Sequence, residues 1–267
     1  MNASPELIRI YAKELKLPTL AHYEEILRQA EDQGHGYEQF LQALLEREID
    51  QRQANQQVRR IRAARFPVKK SLDDFEFKNL VNVEEAFVWQ LATGEFIDKH
   101  ENIIAIGNPG TGKTHLVIGL GIRLCKLKYR VRFVTAADLA TELAEAQANH
   151  RLTRLEQSLE KVDLLVLDEL SYLTFTKPQA ELLFHQLSLR NERGSVAITT
   201  NLEFSRWEEF FPDTMLTAAL IDRLTHHAHI LNMNGTSFRL KQRLQKKSVT
   251  SDGAISDTKE EMKPDEN

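Results

Sequence analysis

The chain has little cysteine and no long apolar run, and both absences narrow the class of protein. Cys125 is the only cysteine in 267 residues, which excludes a disulfide framework and a cysteine-based zinc cluster. No apolar segment approaches the roughly 18–20 residues that a membrane span needs. The first residues, MNASPELIRIYAKELK, lack the apolar core of a signal peptide. We therefore expect a cytoplasmic protein without a membrane partner.

The net charge is also small, but its distribution is uneven. The chain has 35 basic and 39 acidic side chains, a formal net charge of −4, and an apolar fraction of 42% that is typical of a globular protein. Residues 1–46 have a net charge of −4 and residues 47–70 one of +6, while residues 250–267 again carry −4. The average charge therefore does not exclude nucleic acid as a partner.

The pattern of apolar residues divides the chain into three regions. Residues 1–70 have helical periodicity, broken at Gly34 and Gly36, and end in a basic segment, which predicts a small N-terminal helical domain. Residues 71–247 predict an α/β domain. Residues 248–267 are polar and acidic without apolar periodicity, and this composition predicts a disordered tail.

Within the α/β domain, short apolar strands alternate with longer helical segments. Near-continuous apolar strands separated by helices predict a parallel sheet that helices cover on both faces. The segment SLDDFEF is expected to pack onto this domain through Phe75 and Phe77. The predicted strands are Asn102–Gly107, Arg130–Thr135, Asp163–Asp168, Ser195–Thr200 and about 229–233.

The string GNPGTGKT, residues 107–114, fits the phosphate-binding pattern G-x-x-x-x-G-K-[ST]. It follows a predicted strand and opens a predicted helix, so backbone N–H groups and the positive end of the helix face a bound phosphate. Lys113 is expected to reach the β- and γ-phosphates of ATP, and Thr114 to offer its hydroxyl to Mg²⁺. The predicted nucleotide-contacting residues are Gly107, Asn108, Pro109, Gly110, Thr111, Gly112, Lys113, Thr114 and His115.

Polar side chains end two further strands at the same predicted edge of the sheet. LLVLDEL ends in Asp168 and Glu169. Asp168 is expected to hold Mg²⁺ through water, and Glu169 to polarise the attacking water. AITTN delivers Asn201, whose amide is expected to hydrogen-bond the γ-phosphate or that water. Solvated strand-end acids and an N-cap asparagine are the alternative interpretations.

These motifs, together with a late LIDRL, resemble those of AAA+ ATPases, and the chain is most similar to the IstB-like transposition helper ATPases of the IS21 insertion-sequence group. The resemblance spans about residues 5–247 and includes LKLPTLAHYEEILRQA, KSLDDFEF, GIRLCKLKYRVRFVTAADL and HHAHILNMNGTSFRLK. It implies a five-stranded AAA+ core behind a small helical domain and an ATPase activity. It also implies ATP- and DNA-dependent homo-oligomers on duplex DNA that recruit and stimulate a partner transposase.

The AAA+ pattern is incomplete at its C-terminal end. Only 14 residues separate Met233 from the tail, so the usual helical lid is expected to be reduced or absent, and Arg239 is a candidate for part of its role. The resemblance identifies Arg223, in LIDRL, as an arginine finger that acts in trans on an adjacent subunit. An ion pair with Asp222 or a helix neighbour is the alternative. A finger in trans implies that hydrolysis requires assembly.

Two basic stretches are candidates for DNA contact without sequence readout, because neutralised phosphates release counterions. Residues 239–247 hold five bases and no acid, and residues 47–70 hold eight bases against two acids. A solvated helix face is the alternative for either stretch. The predicted DNA contacts are Arg52, Arg59, Arg60, Arg62, Arg65, Lys69 and Lys70.

Three other functions share parts of this pattern. A replicative helicase loader of the same clade would use the same core and favour single strands. A nucleotide-gated adaptor would bind ATP with negligible hydrolysis, and a small-molecule phosphotransferase would pass phosphate to a metabolite. The sequence has neither the Asn-Lys-x-Asp string of guanine readers nor an arginine-rich kinase lid, which counts against GTP switches and small-molecule kinases.

Overall fold

A computed structural model of the chain describes residues 4–80, 82–235 and 237–238. The chain forms two compact units, residues 1–62 and 63–267, so the division falls eight residues before the domain boundary placed at residue 70 from the sequence. Arg239, the basic stretch 239–247 and the acidic tail 248–267 lie outside the described residues. Within the described part of the chain, no helix combines the length and apolar character that crossing a membrane requires.

The first unit is built from helices. The predicted break at Gly34 and Gly36 is confirmed, and Gly34 has a left-handed φ of +66° that ends the preceding helix. Glu48 is buried and accepts hydrogen bonds from the Thr19 backbone N–H at 3.1 Å and from Arg52 Nε at 2.6 Å. The helical elements are α1 (Pro5–Glu14), a 3₁₀ turn (Leu20–His22), α2 (Glu24–Asp32) and α3 (Tyr37–Ala63).

The second unit alternates helices and strands as the sequence predicts. Its helices are α4 (Glu85–Leu91), α5 (Glu95–Asp98), α6 (Lys113–Lys126), α7 (Ala136–Ala148), α8 (Leu152–Glu160), α9 (Lys177–Arg190) and α10 (Thr214–Thr225). Its strands are β1 (Asn102–Ile106), β2 (Val131–Thr135), β3 (Leu164–Asp168), β4 (Ser195–Thr200) and β5 (Ala228–Asn232). Short 3₁₀ turns lie at Phe77–Asn79 and Phe204–Glu209.

All described strands run parallel in one sheet of order β2-β3-β4-β1-β5. Every residue of β1, β3 and β4 is buried, because the helices cover both faces of the central strands. Parallel pairing brings the carboxyl ends of β1, β3 and β4 to one edge of the sheet. Ile106 lies opposite Thr200 there, and Leu167 lies opposite Ile198. This edge, called the carboxyl edge below, holds the predicted site.

A buried arginine joins elements at the opposite edge of the sheet. The Arg190 guanidinium donates to the backbone carbonyls of Leu159 at 2.9 Å, Val162 at 3.0 Å and Ser195 at 3.0 Å. It therefore ties the end of α9 to the end of α8 and the start of β4. Burial lowers the pKa of Arg190 to about 10.

Candidate functional site

The glycines of the phosphate loop are required by its backbone geometry. The loop connects β1 to α6, and Gly110 and Gly112 have φ values of +83° and +97°, a region that favours glycine. At Gly107 a Cβ atom would lie 2.5 Å from the backbone carbonyl of Met233, so the chain after β5 passes directly against the loop. A residue with a Cβ would therefore clash with the backbone at Gly107 and would be conformationally strained at Gly110 and Gly112.

The loop folds around the Lys113 ammonium. Lys113 is buried, and its Nζ donates to the backbone carbonyls of Gly107 at 2.6 Å and Asn108 at 2.9 Å. Thr111 Oγ1 donates to the Asn108 carbonyl at 2.9 Å and closes the turn. The lysine thus lies inside the curve of the loop, where the motif predicts it to meet phosphate.

Thr114 and Asp168 come together as the two motifs predict. Thr114 Oγ1 donates to Asp168 Oδ1 at 3.0 Å, which joins the first turn of α6 to the end of β3. Asp168 is 4% exposed, and among the described residues its Oδ2 accepts no hydrogen bond. A hydroxyl and a carboxylate at this distance are oxygen donors of the kind that Mg²⁺ prefers, so the residues present fit the ion.

Glu169 leaves the strand in a left-handed turn. Its φ is +56°, a conformation that costs a non-glycine residue about 1–2 kcal/mol. The turn separates its exposed carboxylate from the buried one of Asp168, which agrees with the different roles predicted for the two acids. The Glu169 backbone N–H donates to Thr199 Oγ1 at 2.9 Å, and Thr199 Oγ1 also donates to Asp168 Oδ1.

Asn201 lies just beyond β4, at the same edge. Its backbone N–H donates to Ser171 Oγ at 3.1 Å, and Thr200 Oγ1 donates to the same Ser171 oxygen at 3.2 Å. The Asn201 side chain is exposed next to the turn that carries Glu169. Sequence reasoning did not identify Ser171 or Thr199, because neither belongs to a motif and both make their contacts across strands.

The segment before α4 packs against the phosphate loop, as predicted from its phenylalanines. The Phe75 ring is buried, lies 4.9 Å from the Phe77 ring and 5.1 Å from the His115 ring, and contacts the position of a Gly112 Cβ. His115 Nε2 lies 3.0 Å from the Ser71 carbonyl oxygen. The His115 side chain therefore faces this segment, and only its backbone remains for a phosphate.

A pocket opens on the same segment. Phe75, Phe77, Lys78 and Trp89 line it, together with acidic side chains including Glu85. Trp89 is half-buried, and its indole N–H donates to Glu85 Oε1 at 3.2 Å. Because Phe75 contacts both this pocket and Gly112, the aromatic pocket borders the phosphate loop.

The chain after β5 forms another wall of the loop. The Asn108 backbone N–H donates to Asn234 Oδ1 at 3.1 Å, and the Phe238 backbone N–H donates to the Gly110 carbonyl at 3.0 Å. Met233 adds the close approach to Gly107. All three residues belong to the string HHAHILNMNGTSFRLK, residues 226–241. The string therefore contributes the Phe238 backbone N–H and the Asn234 side chain to the site.

Arg223 lies far from the phosphate loop of its own chain. It lines a small cavity with Asn102 and Val196, at the amino ends of β1 and β4, whereas the loop follows the carboxyl end of β1. A five-residue strand separates the two edges by roughly 15 Å. The guanidinium donates to Ser188 Oγ and lies 4.8 Å from the centroid of the Phe184 ring. Among the described residues it forms no ion pair, with Asp222 or with any other acid.

The basic residues predicted to meet DNA differ in their surroundings. Within the first unit, Arg52 is paired with Glu48 at 2.6 Å and donates to the Lys16 carbonyl at 2.7 Å. Arg59 and Arg62 are exposed near the end of α3, while Arg60 is half-buried. Within the second unit, the exposed bases are Arg65, Lys69 and Lys70.

Comparison with solved structures supports the fold. The AMPPCP-bound DnaA from Aquifex aeolicus superposes with a TM-score of 0.53 at 19% identity, covering 74% of this chain and 58% of that one. The crystal structure of DnaI superposes with a TM-score of 0.51 at 19% identity, covering 63% of this chain and 90% of that one. The predicted α/β P-loop core with a parallel five-stranded sheet is confirmed.

Sequence comparison defines the family. The chain is 36% identical over 237 residues to the insertion sequence IS21 ATP-binding protein of Pseudomonas aeruginosa, covering 88% of this chain and 89% of the relative. It is 35% identical over 239 residues to the IS5376 ATP-binding protein of Geobacillus stearothermophilus, covering 89% and 95%. The profile of the IstB-like ATP binding protein family matches residues 10–246. The chain therefore belongs to the IstB-like ATP-binding proteins of IS21-type insertion sequences.

Proposed function

We propose that the protein is an ATPase that assembles on duplex DNA and recruits and stimulates the transposase of its insertion sequence. The observation that carries the ATPase proposal is the meeting of Thr114 and Asp168 at 3.0 Å, with Glu169 next in the chain. An adaptor that binds ATP without hydrolysing it would need the phosphate loop and Lys113. It would not need Asp168 and Glu169 side by side at the carboxyl edge.

The mechanism assigns one role to each side chain of the carboxyl edge. The loop amides and Lys113 bind the β- and γ-phosphates. Thr114 and Asp168 would hold Mg²⁺, which neutralises charge on the phosphates when bound. Glu169 accepts a proton from the attacking water, and Asn201 hydrogen-bonds that water or the γ-phosphate.

The aromatic pocket is proposed to take the adenine base. It borders the phosphate loop through Phe75, and flat aromatic rings such as those of Phe77 and Trp89 stack on nucleobases. The pocket therefore supplies the part of nucleotide recognition that the phosphate loop cannot, because the loop contacts phosphate alone.

Arg223 is proposed to complete the site of a neighbouring subunit. Its position at the opposite edge of the sheet prevents it from reaching its own phosphate loop, and no carboxylate among the described residues neutralises it. An arginine that approaches the γ-phosphate from another subunit stabilises the charge of the transition state. Hydrolysis would then depend on the homo-oligomer.

Contact with DNA is proposed for the exposed bases near the end of α3 and after it. Arg59 and Arg62 are the strongest candidates of the first unit, since neither has an ion-pair partner among the described residues. Arg52 is already paired with Glu48 and is a weaker candidate. Charge contacts of this kind bind duplex DNA without reading its sequence.

A transposase is favoured over a replicative helicase as the partner. The relatives at 35–36% identity belong to insertion sequences, whereas the superposed DnaA and DnaI structures, at 19% identity, support the fold alone. The alternative function as a helicase loader therefore has weaker support.

The decisive experiment measures ATP hydrolysis by the full chain with and without duplex DNA. We expect DNA-stimulated turnover that Glu169→Gln abolishes while ATP binding persists. Equal hydrolysis by the wild type and Glu169→Gln would contradict the ATPase mechanism. Pull-down with a transposase of an IS21-type insertion sequence, and with a replicative helicase as the control, tests the partner. Phosphate transfer to a metabolite would favour a phosphotransferase instead.

A further inference from the structure

One buried hydroxyl contacts both acids of the proposed ATPase site. Thr199, at the carboxyl end of β4, is 1% exposed. Its Oγ1 accepts a hydrogen bond from the Glu169 backbone N–H at 2.9 Å and donates one to Asp168 Oδ1. The Leu170 backbone N–H also donates to the Thr199 carbonyl at 3.0 Å, so the whole residue is fixed against the turn after β3.

We infer that Thr199 is a positioning residue for ATP hydrolysis, which holds Asp168 and Glu169 in their working geometry through this single hydroxyl. The inference rests on the proposed ATPase function and adds a residue that belongs to neither the phosphate loop nor the LLVLDEL motif. Thr199 does not touch the nucleotide in this assignment, because it acts through the two acids.

The chemistry of a hydroxyl suits this role. A threonine Oγ1 has one hydrogen to donate and lone pairs to accept with, so it satisfies a carboxylate and an N–H at once. Its hydrogen on Asp168 Oδ1 adds to the hydrogen bond from Thr114, which leaves Oδ2 as the oxygen without a partner among the described residues. The orientation of the carboxylate is thereby fixed.

The same hydroxyl stabilises the unusual backbone of Glu169. A left-handed φ of +56° is unfavourable for glutamate, and such a conformation persists only where neighbouring contacts hold it. The hydrogen bond from the Glu169 N–H to Thr199 is such a contact. Without it, the turn loses the interaction that directs the Glu169 carboxylate away from Asp168.

A second hydroxyl makes the reverse connection. Ser171, on the turn after Glu169, accepts hydrogen bonds from the Asn201 N–H and the Thr200 hydroxyl. Thr199, on β4, therefore contacts Asp168 and Glu169 at the end of β3. Ser171, on the turn after β3, contacts Thr200 and Asn201 at the end of β4. The two hydroxyls link Asp168, Glu169 and Asn201 in one hydrogen-bonded cluster.

The test replaces the hydroxyl by a methyl group of similar size in the full chain. Thr199→Val should lower kcat for DNA-stimulated ATP hydrolysis by about 10- to 100-fold, as expected for loss of an orienting contact, with little change in the KM for ATP. Thr199→Ser keeps the hydroxyl and should restore most of the kcat. Thr217→Val is the matched control, because Thr217 is an equally buried threonine whose hydroxyl donates to the carbonyl of Asp213, the N-cap residue of its own helix.

A readout that a general structural role would not change comes from a double variant. In the Glu169→Asp background, which keeps a carboxylate in a displaced position and therefore some turnover, Thr199→Val should cause much less than its 10- to 100-fold loss, because its main route of action has been removed. Ser171 is partly exposed, so the Ser171→Ala protein should fold. Like Thr199→Val, it should lower kcat. An unfolded Thr199→Val protein would leave Thr199→Ser and Ser171→Ala to decide.

Three outcomes would overturn the inference while leaving the ATPase proposal intact. These are a wild-type kcat in Thr199→Val, a raised KM with an unchanged kcat, and a loss in Thr199→Ser equal to that in Thr199→Val. An inactive wild-type protein, by contrast, would contradict the proposed ATPase function itself.

Discussion

Thr114 and Asp168 are joined by a hydrogen bond of 3.0 Å, although 54 residues separate them in the chain. This contact brings the hydroxyl of the phosphate loop and the carboxylate of β3 to one point. The pair therefore bears on the metal requirement of the protein.

Thr114→Ala removes the hydroxyl that is proposed to bind Mg²⁺ beside Asp168. We expect the Mg²⁺ concentration for half-maximal ATP hydrolysis to rise at least about 10-fold, because one of few protein oxygens is lost. A Mg²⁺ titration of activity at saturating ATP measures the change. Thr141→Ala, which removes an exposed hydroxyl bonded within α7, is the control. An unshifted Mg²⁺ curve for Thr114→Ala would rule out this ligand.

Arg223→Ala should lower the rate of ATP hydrolysis by a factor on the order of 1,000 or more. ATP binding should not weaken. Mixing Arg223→Ala subunits with Glu169→Gln subunits should restore part of the activity. In the mixture, the intact Glu169 of an Arg223→Ala subunit can be completed by the intact Arg223 of a neighbouring Glu169→Gln subunit. A mixture as inactive as its components would show that the arginine does not act in trans. Arg193→Ala, an exposed arginine beyond α9, is the control.

Arg59→Glu/Arg62→Glu should weaken binding to duplex DNA equally for unrelated sequences. The slope of log affinity against log salt concentration should fall by about two, one for each lost phosphate contact. Fluorescence anisotropy over a range of salt concentrations gives the slope. Lys161→Glu/Arg193→Glu changes the net charge by the same amount at other exposed positions of the chain. If both double variants lose affinity alike, the effect is one of net charge and the proposed contact is wrong.

Trp89 should report nucleotide binding directly. The chain has two tryptophans, and Trp207 is fully buried in the core, so a change in emission on adding ATP should come from Trp89. Trp207→Phe should keep the change and Trp89→Phe should lose it. Phe77→Ala should weaken ATP binding about 10-fold, the size of one lost stacking contact. An ATP-induced signal that survives in Trp89→Phe would place the base elsewhere.

Arg190→Lys should destabilise the second unit by about 3 kcal/mol. The lysine keeps the charge but cannot supply the planar set of donors that three separate carbonyls accept. Urea unfolding followed by circular dichroism measures the loss. Arg193→Lys, an exposed change three residues away, should alter the free energy of unfolding by less than about 0.5 kcal/mol. Equal stability of the two variants would contradict the role given to Arg190.

The sequence predicts the parts of the site that follow directly from chain continuity. The phosphate loop, Asp168, Glu169 and Asn201 each come at the end of an apolar strand, and parallel pairing necessarily brings such ends together. Thr199 and Ser171 could not be found in this way. Their contacts depend on the register between β3 and β4, and a threonine in a strand is ordinarily only a residue with high strand propensity.

Helix α8 and the Arg52–Glu48 ion pair are two further features that the sequence does not predict. Helix α8 is not evident from the sequence, because its nine residues give a short periodic signal in which Leu159 alone is fully buried and Leu152 and Leu155 are partly buried. The basic segment appeared uniform in sequence, yet Arg52 is paired with Glu48 one helical turn earlier. Pairing within a helix depends on which rotamer each side chain adopts, and composition carries no information on that choice.

The wall that Asn234 and Phe238 build against the phosphate loop also bears on how the protein is made. Asn234 is 126 residues from Asn108, so the loop gains this contact only after nearly the whole second unit has been synthesised. Contacts of such separation form late, because closing a long chain segment is entropically costly. A nascent chain arrested before Asn234 would therefore carry the complete GNPGTGKT string and still lack the two hydrogen bonds by which the C-terminal segment holds the phosphate loop.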